Sequence, residues 1–82
     1  MTEAAEAGEV VDARGLVCPA PIVRLARVAR AAAAGTLVTV LATDPAAEVD
    51  VPAWARMRGH TVVRTKRTDD GVLAVTVRIG GR

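Results

Sequence analysis

The sequence predicts an α+β fold: a two-layer α/β sandwich in which two helices cover one face of a four-stranded mixed sheet. Three observations lead there. Ile22, Leu25, Ala26, Ala29 and Ala33 recur at spacings of three and four, the one-sided apolar pattern of an amphipathic helix. Thr36 to Thr43 is rich in β-branched residues and apolar on both alternating sets, as in a central strand. Asp69-Asp70-Gly71 is a hairpin turn signal, and Leu73, Val75, Val77 and Ile79 alternate behind it as in a half-buried strand.

The elements follow in the order β-α-β-α-β-β. Residues 1 to 8 are small, acidic and without period, and are expected to form a flexible acidic tail ahead of a single domain over residues 9 to 82. Glu9 to Asp12 is a brief strand centred on Val10 and Val11. The first helix is expected from Pro19 to Ala34, because proline's fixed φ suits a helix start, and Gly35 fits its C-terminal cap. After the central strand, Asp44-Pro45 breaks the pattern and Ala46 to Val49 reads as a turn. Asp50 is then the expected N-cap of a short second helix, with Pro52 in its first turn, Trp54 and Met57 facing the core, and Gly59 closing it. His60 to Thr68, a strand with many charges, belongs at an edge. Gly80-Gly81-Arg82 is a frayed end.

Composition excludes several classes. The chain has 82 residues, eleven Lys and Arg against nine Asp and Glu, one cysteine, one histidine and Trp54 as its only aromatic residue. The core must therefore be built from Val, Leu, Ile and Ala. A single cysteine forms no internal disulfide, and without a Cys/His cluster no metal site is expected. No signal-like stretch opens the chain, and the uncharged run from Ala31 to Thr43 is too short to span a bilayer, so a cytoplasmic protein is expected.

The functional stretch is Gly15-Leu16-Val17-Cys18-Pro19-Ala20-Pro21, where a strand hands over to a helix. Unpaired N–H groups and the positive end of the helix dipole favour an anion there, so Cys18 is expected to titrate below the free-thiol value of about 8.5 and to be nucleophilic. Gly15 and Leu16 set the turn, Pro19 and Pro21 fix the helix start and aim the sulfur, and Arg14 adds positive charge nearby.

Asp12, Gly15-Leu16, Cys18-Pro19-x-Pro21, Asp44-Pro45, Asp50, and Trp54 through Gly59-His60 together resemble the TusA/SirA-like family of small sulfur carrier proteins. The likeness runs from about Val10 to Gly81. It implies that Cys18 carries a transient persulfide without other cofactor. It would receive sulfur from a donor such as a cysteine desulfurase or rhodanese-like protein and hand it to an acceptor sulfur-relay protein. Such a chain is a sulfur-transfer carrier rather than an independent turnover enzyme. Arg14, Arg24 and Arg27 are candidates for partner docking. The resemblance implies tRNA thiolation, molybdenum cofactor maturation or sulfur oxidation as settings without choosing among them. Where some members carry a further cysteine on the second helix this chain has Ala55, so an internal resolving thiol is excluded.

The competing class is a small basic binding module for nucleic acid or an acidic regulatory protein, with Cys18 structural and Arg24, Arg27, Arg30, Arg64, Lys66 and Arg67 tracking phosphates. The small net charge of +2 and the lack of an aromatic stacking platform argue against direct nucleic-acid binding.

Overall fold

The computed structural model describes residues 8–80. The expected acidic tail, Gly8 apart, and the last two residues lie outside them. The chain runs β1 (Glu9–Ala13), α1 (Ala20–Ala31), β2 (Leu37–Ala42), α2 (Ala47–Arg58), β3 (Thr61–Arg67) and β4 (Leu73–Arg78). The sheet order is β1-β2-β4-β3, with β1 parallel to β2 and the other two pairings antiparallel. The element order and the mixed sheet are those the sequence predicts.

Alternation sorts the strands between two faces. Val11 and Ala13 of β1, Val38, Val40 and Ala42 of β2, and Leu73, Val75 and Val77 of β4 are buried with Leu25 and Ala29 of α1 and Val51, Trp54 and Ala55 of α2. The opposite face carries Leu37, Thr39 and Leu41 of β2, and there the hydroxyls of Thr39 and Thr76 bond at 2.8 Å. Burying each Val or Leu contributes about 1.5–3 kcal/mol, so a core without large rings depends on close packing of many such residues.

Helix boundaries depart from expectation. α1 begins at Ala20, with Pro19 just before it and Pro21 in its first turn. It stops at Ala31, three residues early, where Ala32 turns extended. The chain is drawn away there because Gly35 N–H donates to the Ile79 carbonyl and Ile79 N–H to that of Thr36, which prolongs the β2–β4 ladder. Ala33 is therefore exposed outside the helix, and Gly35, at φ 92°, serves this turn rather than the helix cap.

α2 starts earlier than expected. Ala47 to Val49 is helix rather than turn: Ala46 is the N-cap, without a side-chain cap bond, and Asp44 closes the turn just before it, its side chain accepting Ala46 N–H at 3.0 Å and its carbonyl accepting Ala47 N–H at 3.0 Å. Asp50 consequently falls inside the first turn and Pro52 beyond it. The buried stripe is Ala47, Val51, Trp54 and Ala55, spaced by four, three and one, which leaves Met57 on the outer side, 77 % exposed. Gly59 closes α2 as expected. At φ 80° it donates to Arg56 while His60 N–H donates to Ala55, the paired bonds of a Schellman cap.

Two outcomes follow from this packing. Leu25→Ala, at a fully buried position, should lower unfolding free energy by about 2–5 kcal/mol in urea titrations. Gly59→Ala should cost roughly 1–2 kcal/mol, the penalty of a left-handed conformation with a Cβ, read from the same titration.

Candidate functional site

Parallel pairing of β1 with β2 sends both chains out at one edge of the sheet. The register opposes Ala13 to Ala42, and Leu73 and Arg67 mark the same edge on β4 and β3. The loops after β1 and β2 therefore meet, and each enters a helix whose N-terminus points to this edge. The carboxyl edge of parallel strands is the common place for a site in such folds.

Two hydrogen bonds clamp the loops together. Gly15 N–H donates to the Thr43 hydroxyl at 2.9 Å, with Gly15 at φ 82°, a conformation that favours glycine. Cys18 N–H donates to Asp44 Oδ2 at 2.7 Å. Leu16 N–H bonds the Ala13 carbonyl at 3.2 Å while its side chain packs on the core. Pro21 is fully buried and anchors the start of α1, whereas Pro19 is exposed and its carbonyl accepts Val23 N–H at 3.0 Å. The four residues expected to support Cys18 thus all flank it, by different means.

Cys18 is partly buried, and its Sγ–H donates to Asp50 Oδ2 at 2.5 Å. This bond corrects the expected acidity of the thiol. Asp50 as acceptor, burial of the sulfur, and the negative charges of Asp50 and Asp44 raise the Cys18 pKa to about 11. The dipole of α1 is outweighed for a structural reason: Ala20 N–H is taken by the Val17 carbonyl, and Pro21 has no N–H. Two of the donors that would hold a thiolate at the helix start are therefore not available to it. Asp44 moves the other way, its carboxyl held below its ordinary value by the N–H groups of Cys18 and Ala46.

Arg14 does not supply free charge to the sulfur. Its guanidinium makes two bonds of 2.8 Å to Asp12, whose pKa falls to about 2. Arg24 and Arg27 line a shallow groove with Val10, Val11 and Asp12, beside β1. His60 lies at the end of α2, where Nδ1 accepts Gly80 N–H at 2.9 Å and the ring tilts against Trp54, 4.9 Å between centroids. Among the described residues, no group of three or more His, Cys, Asp or Glu could hold a metal, and no helix is long and apolar enough to cross a membrane.

The contact of Asp50 with Cys18, 32 positions apart, is not the cap that the sequence suggests for Asp50, and nothing periodic links the two. The signal available was topological, since any residue opening the helix after β2 must lie at the edge where the cysteine loop lies.

Titration of thiolate absorbance should give a midpoint of about 11 for Cys18; a midpoint below the ordinary thiol value would contradict this geometry. A second pH effect has the opposite sign. Asp44 is depressed in the folded state, so its stabilisation is present above the unfolded value of about 3.9 and is lost as pH falls through its folded value. Asp44→Asn should accordingly flatten the acid side of the stability profile, measured by thermal melts between neutral and acidic pH.

Comparison with known proteins bears on this edge. Residues 9–79 match the family model described as "Sulfurtransferase TusA". A putative sulfur carrier protein of Archaeoglobus fulgidus is 38 % identical over 69 residues, covering 84 % of this chain and 90 % of that one. The sulfur carrier protein TusA of Pseudomonas putida is also 38 % identical over 69 residues, with 84 % and 85 % covered. The crystal structure of a SirA-like protein from Desulfitobacterium hafniense superposes with a TM-score of 0.78 at 32 % identity, covering 88 % of this chain and 97 % of that one. With the cysteine loop, both aspartate-bearing segments and the whole sheet inside the matched region, the chain belongs to the TusA/SirA-like family of sulfur carrier proteins.

Proposed function

We propose that Cys18 carries sulfane sulfur as a persulfide, accepting it from a donor protein and passing it to an acceptor. The observation that carries this reading is a single, partly exposed thiol at the edge where two loops and two helix starts converge, with a carboxylate bonded to its proton. In loading, Sγ attacks the outer sulfur of a donor persulfide. The donor's S–S bond breaks, its inner sulfur leaves as a thiolate, and Cys18-S-SH forms. In discharge an acceptor thiolate attacks that same outer sulfur, and Cys18 leaves. Sulfane sulfur moves without net oxidation, and persulfidation is a reversible cap.

Because Cys18 is the only cysteine, discharge must go to another molecule. The relay therefore needs two partners in turn: a donor such as a cysteine desulfurase or rhodanese-like protein, and an acceptor in tRNA thiolation, molybdenum cofactor maturation or sulfur oxidation. Arg24 and Arg27, exposed on α1 beside β1, are the side chains we assign to docking, since charge steers transient encounters. Arg14 contributes there as half of an ion pair. A reducing, cytoplasmic setting suits the working thiol.

Nucleic-acid binding gains no support from the arrangement of the basic residues. Arg24 and Arg27 flank the outer strand β1, Arg64 and Lys66 lie on the opposite outer strand β3, and Arg67 is paired with Glu48. They form no continuous track.

Intact mass after incubation with a cysteine desulfurase and cysteine tests the proposal. The expected result is a reductant-sensitive gain of one sulfur atom, absent in Cys18→Ser. A gain that persists in Cys18→Ser, or none with several donors, would contradict it.

A further inference from the structure

We propose that Asp50 is a charge lock on Cys18, opened by a sulfur donor that presents a cation beside its reacting sulfur; this rests on the reading of Cys18 as the sulfur-accepting thiol. From α2, Asp50 accepts the thiol proton. From the loop after β2, Asp44 bonds the Cys18 backbone. From α1, the first turn is Ala20-Pro21-Ile22-Val23, without a charge. From the β1 side, the Arg14 guanidinium is engaged by Asp12 and also feels Asp70 of the β3–β4 hairpin. Glu48, near Asp50 on α2, is paired with Arg67. Among the described residues, the charges that bear on Cys18 are thus the carboxylates of Asp50 and Asp44, while Arg14 and Arg67 are bound to other acids.

This arrangement has a chemical consequence. As Sγ forms its bond to the outer sulfur of a donor persulfide, its proton passes to Asp50 Oδ2. The donor's S–S bond breaks, and its inner sulfur departs with the electron pair and takes up that proton, so charge and electrons balance without a further reactant. Negative charge spreads over the sulfurs while Asp44 stays anionic, which opposes the step. A guanidinium or ammonium on the donor, drawn to Asp50 and Asp44, offsets that charge and weakens the grip on the thiol. The same lock leaves Cys18 a slow nucleophile toward neutral or anionic reagents when no partner is present.

Two methanethiosulfonate reagents of similar size, one bearing a trimethylammonium and one a sulfonate, serve as probes. Each forms a mixed disulfide with Sγ and releases methanesulfinate. Rates are divided by those of the same reagents with free cysteine. In the wild type the cationic reagent should be favoured by roughly tenfold or more, the scale of focusing by a charged site. Asp50→Asn should reduce that preference at least threefold and shift the pH midpoint of labelling downward; Asp50→Glu should keep both near wild type. Equal normalised rates in the wild type, or an Asp50→Asn profile unchanged in preference and pH, would overturn the lock. Labelling does not depend on sulfur loading, so a failed lock beside intact persulfide formation would leave Cys18 as the carrier residue.

Discussion

The bond from Cys18 N–H to Asp44 is the constraint on which the rest of the site depends. It fastens the loop after β1 to the loop after β2, and it works only because those strands are parallel and in a register that ends with Ala13 opposite Ala42. A one-residue slip would turn the buried set of either strand outward and lose the contact. Small residues permit the closeness: Ala13, Ala42 and Ala47 are all essentially inaccessible where the loops leave the sheet. Asp44 also closes the turn that leads into α2, so one side chain holds both the cysteine backbone and the approach to the helix whose Asp50 reaches the sulfur.

The electrostatics of the edge run opposite to what a cysteine at a helix start suggests. A dipole spread over a helix end competes with a carboxylate in contact, and the carboxylate prevails. For a carrier this has a use. A protein that must hold its thiol intact between two partners gains from a resting state that is protonated, because the thiolate is the form that oxidises and alkylates. On the lock proposed above, reactivity is supplied by the encounter. Arg24 and Arg27 lie exposed beside β1, and Cys18 sits, partly exposed, where the loops after β1 and β2 leave the sheet.

Much of this was legible in the chain. Cys18-Pro19-x-Pro21 behind Gly15-Leu16 marks the loop between β1 and α1, the alternation from Leu73 to Ile79 and the Asp69-Asp70-Gly71 turn mark the last hairpin, and Gly59 marks the end of α2. What escaped has physical causes. The alanine run from Ala31 to Ala34 contains no breaker, and α1 ends there because Gly35 and Thr36 are recruited by Ile79, a contact no local pattern records. Asp50 is a good cap by chemistry, but α2 begins at Ala47 behind an Ala46 N-cap that bonds through no side chain, so no capping residue marks its start. The spacing of Met57 from Trp54 alone points it inward, whereas the stripe set by Ala47 and Val51 excludes it. The Asp50 contact, finally, belongs to the topology and not to any stretch of sequence.

If sulfur passes through Cys18 to another molecule, discharge is where it shows. Protein loaded with radiolabelled sulfane sulfur would be separated from its donor and mixed with a thiol-containing acceptor peptide, with label and Cys18 state followed together. The account predicts that label appears on the acceptor in step with the return of a free Cys18 thiol, and that without acceptor it stays on the protein. Label lost at the same rate with and without acceptor, or held elsewhere than on Cys18, would contradict it.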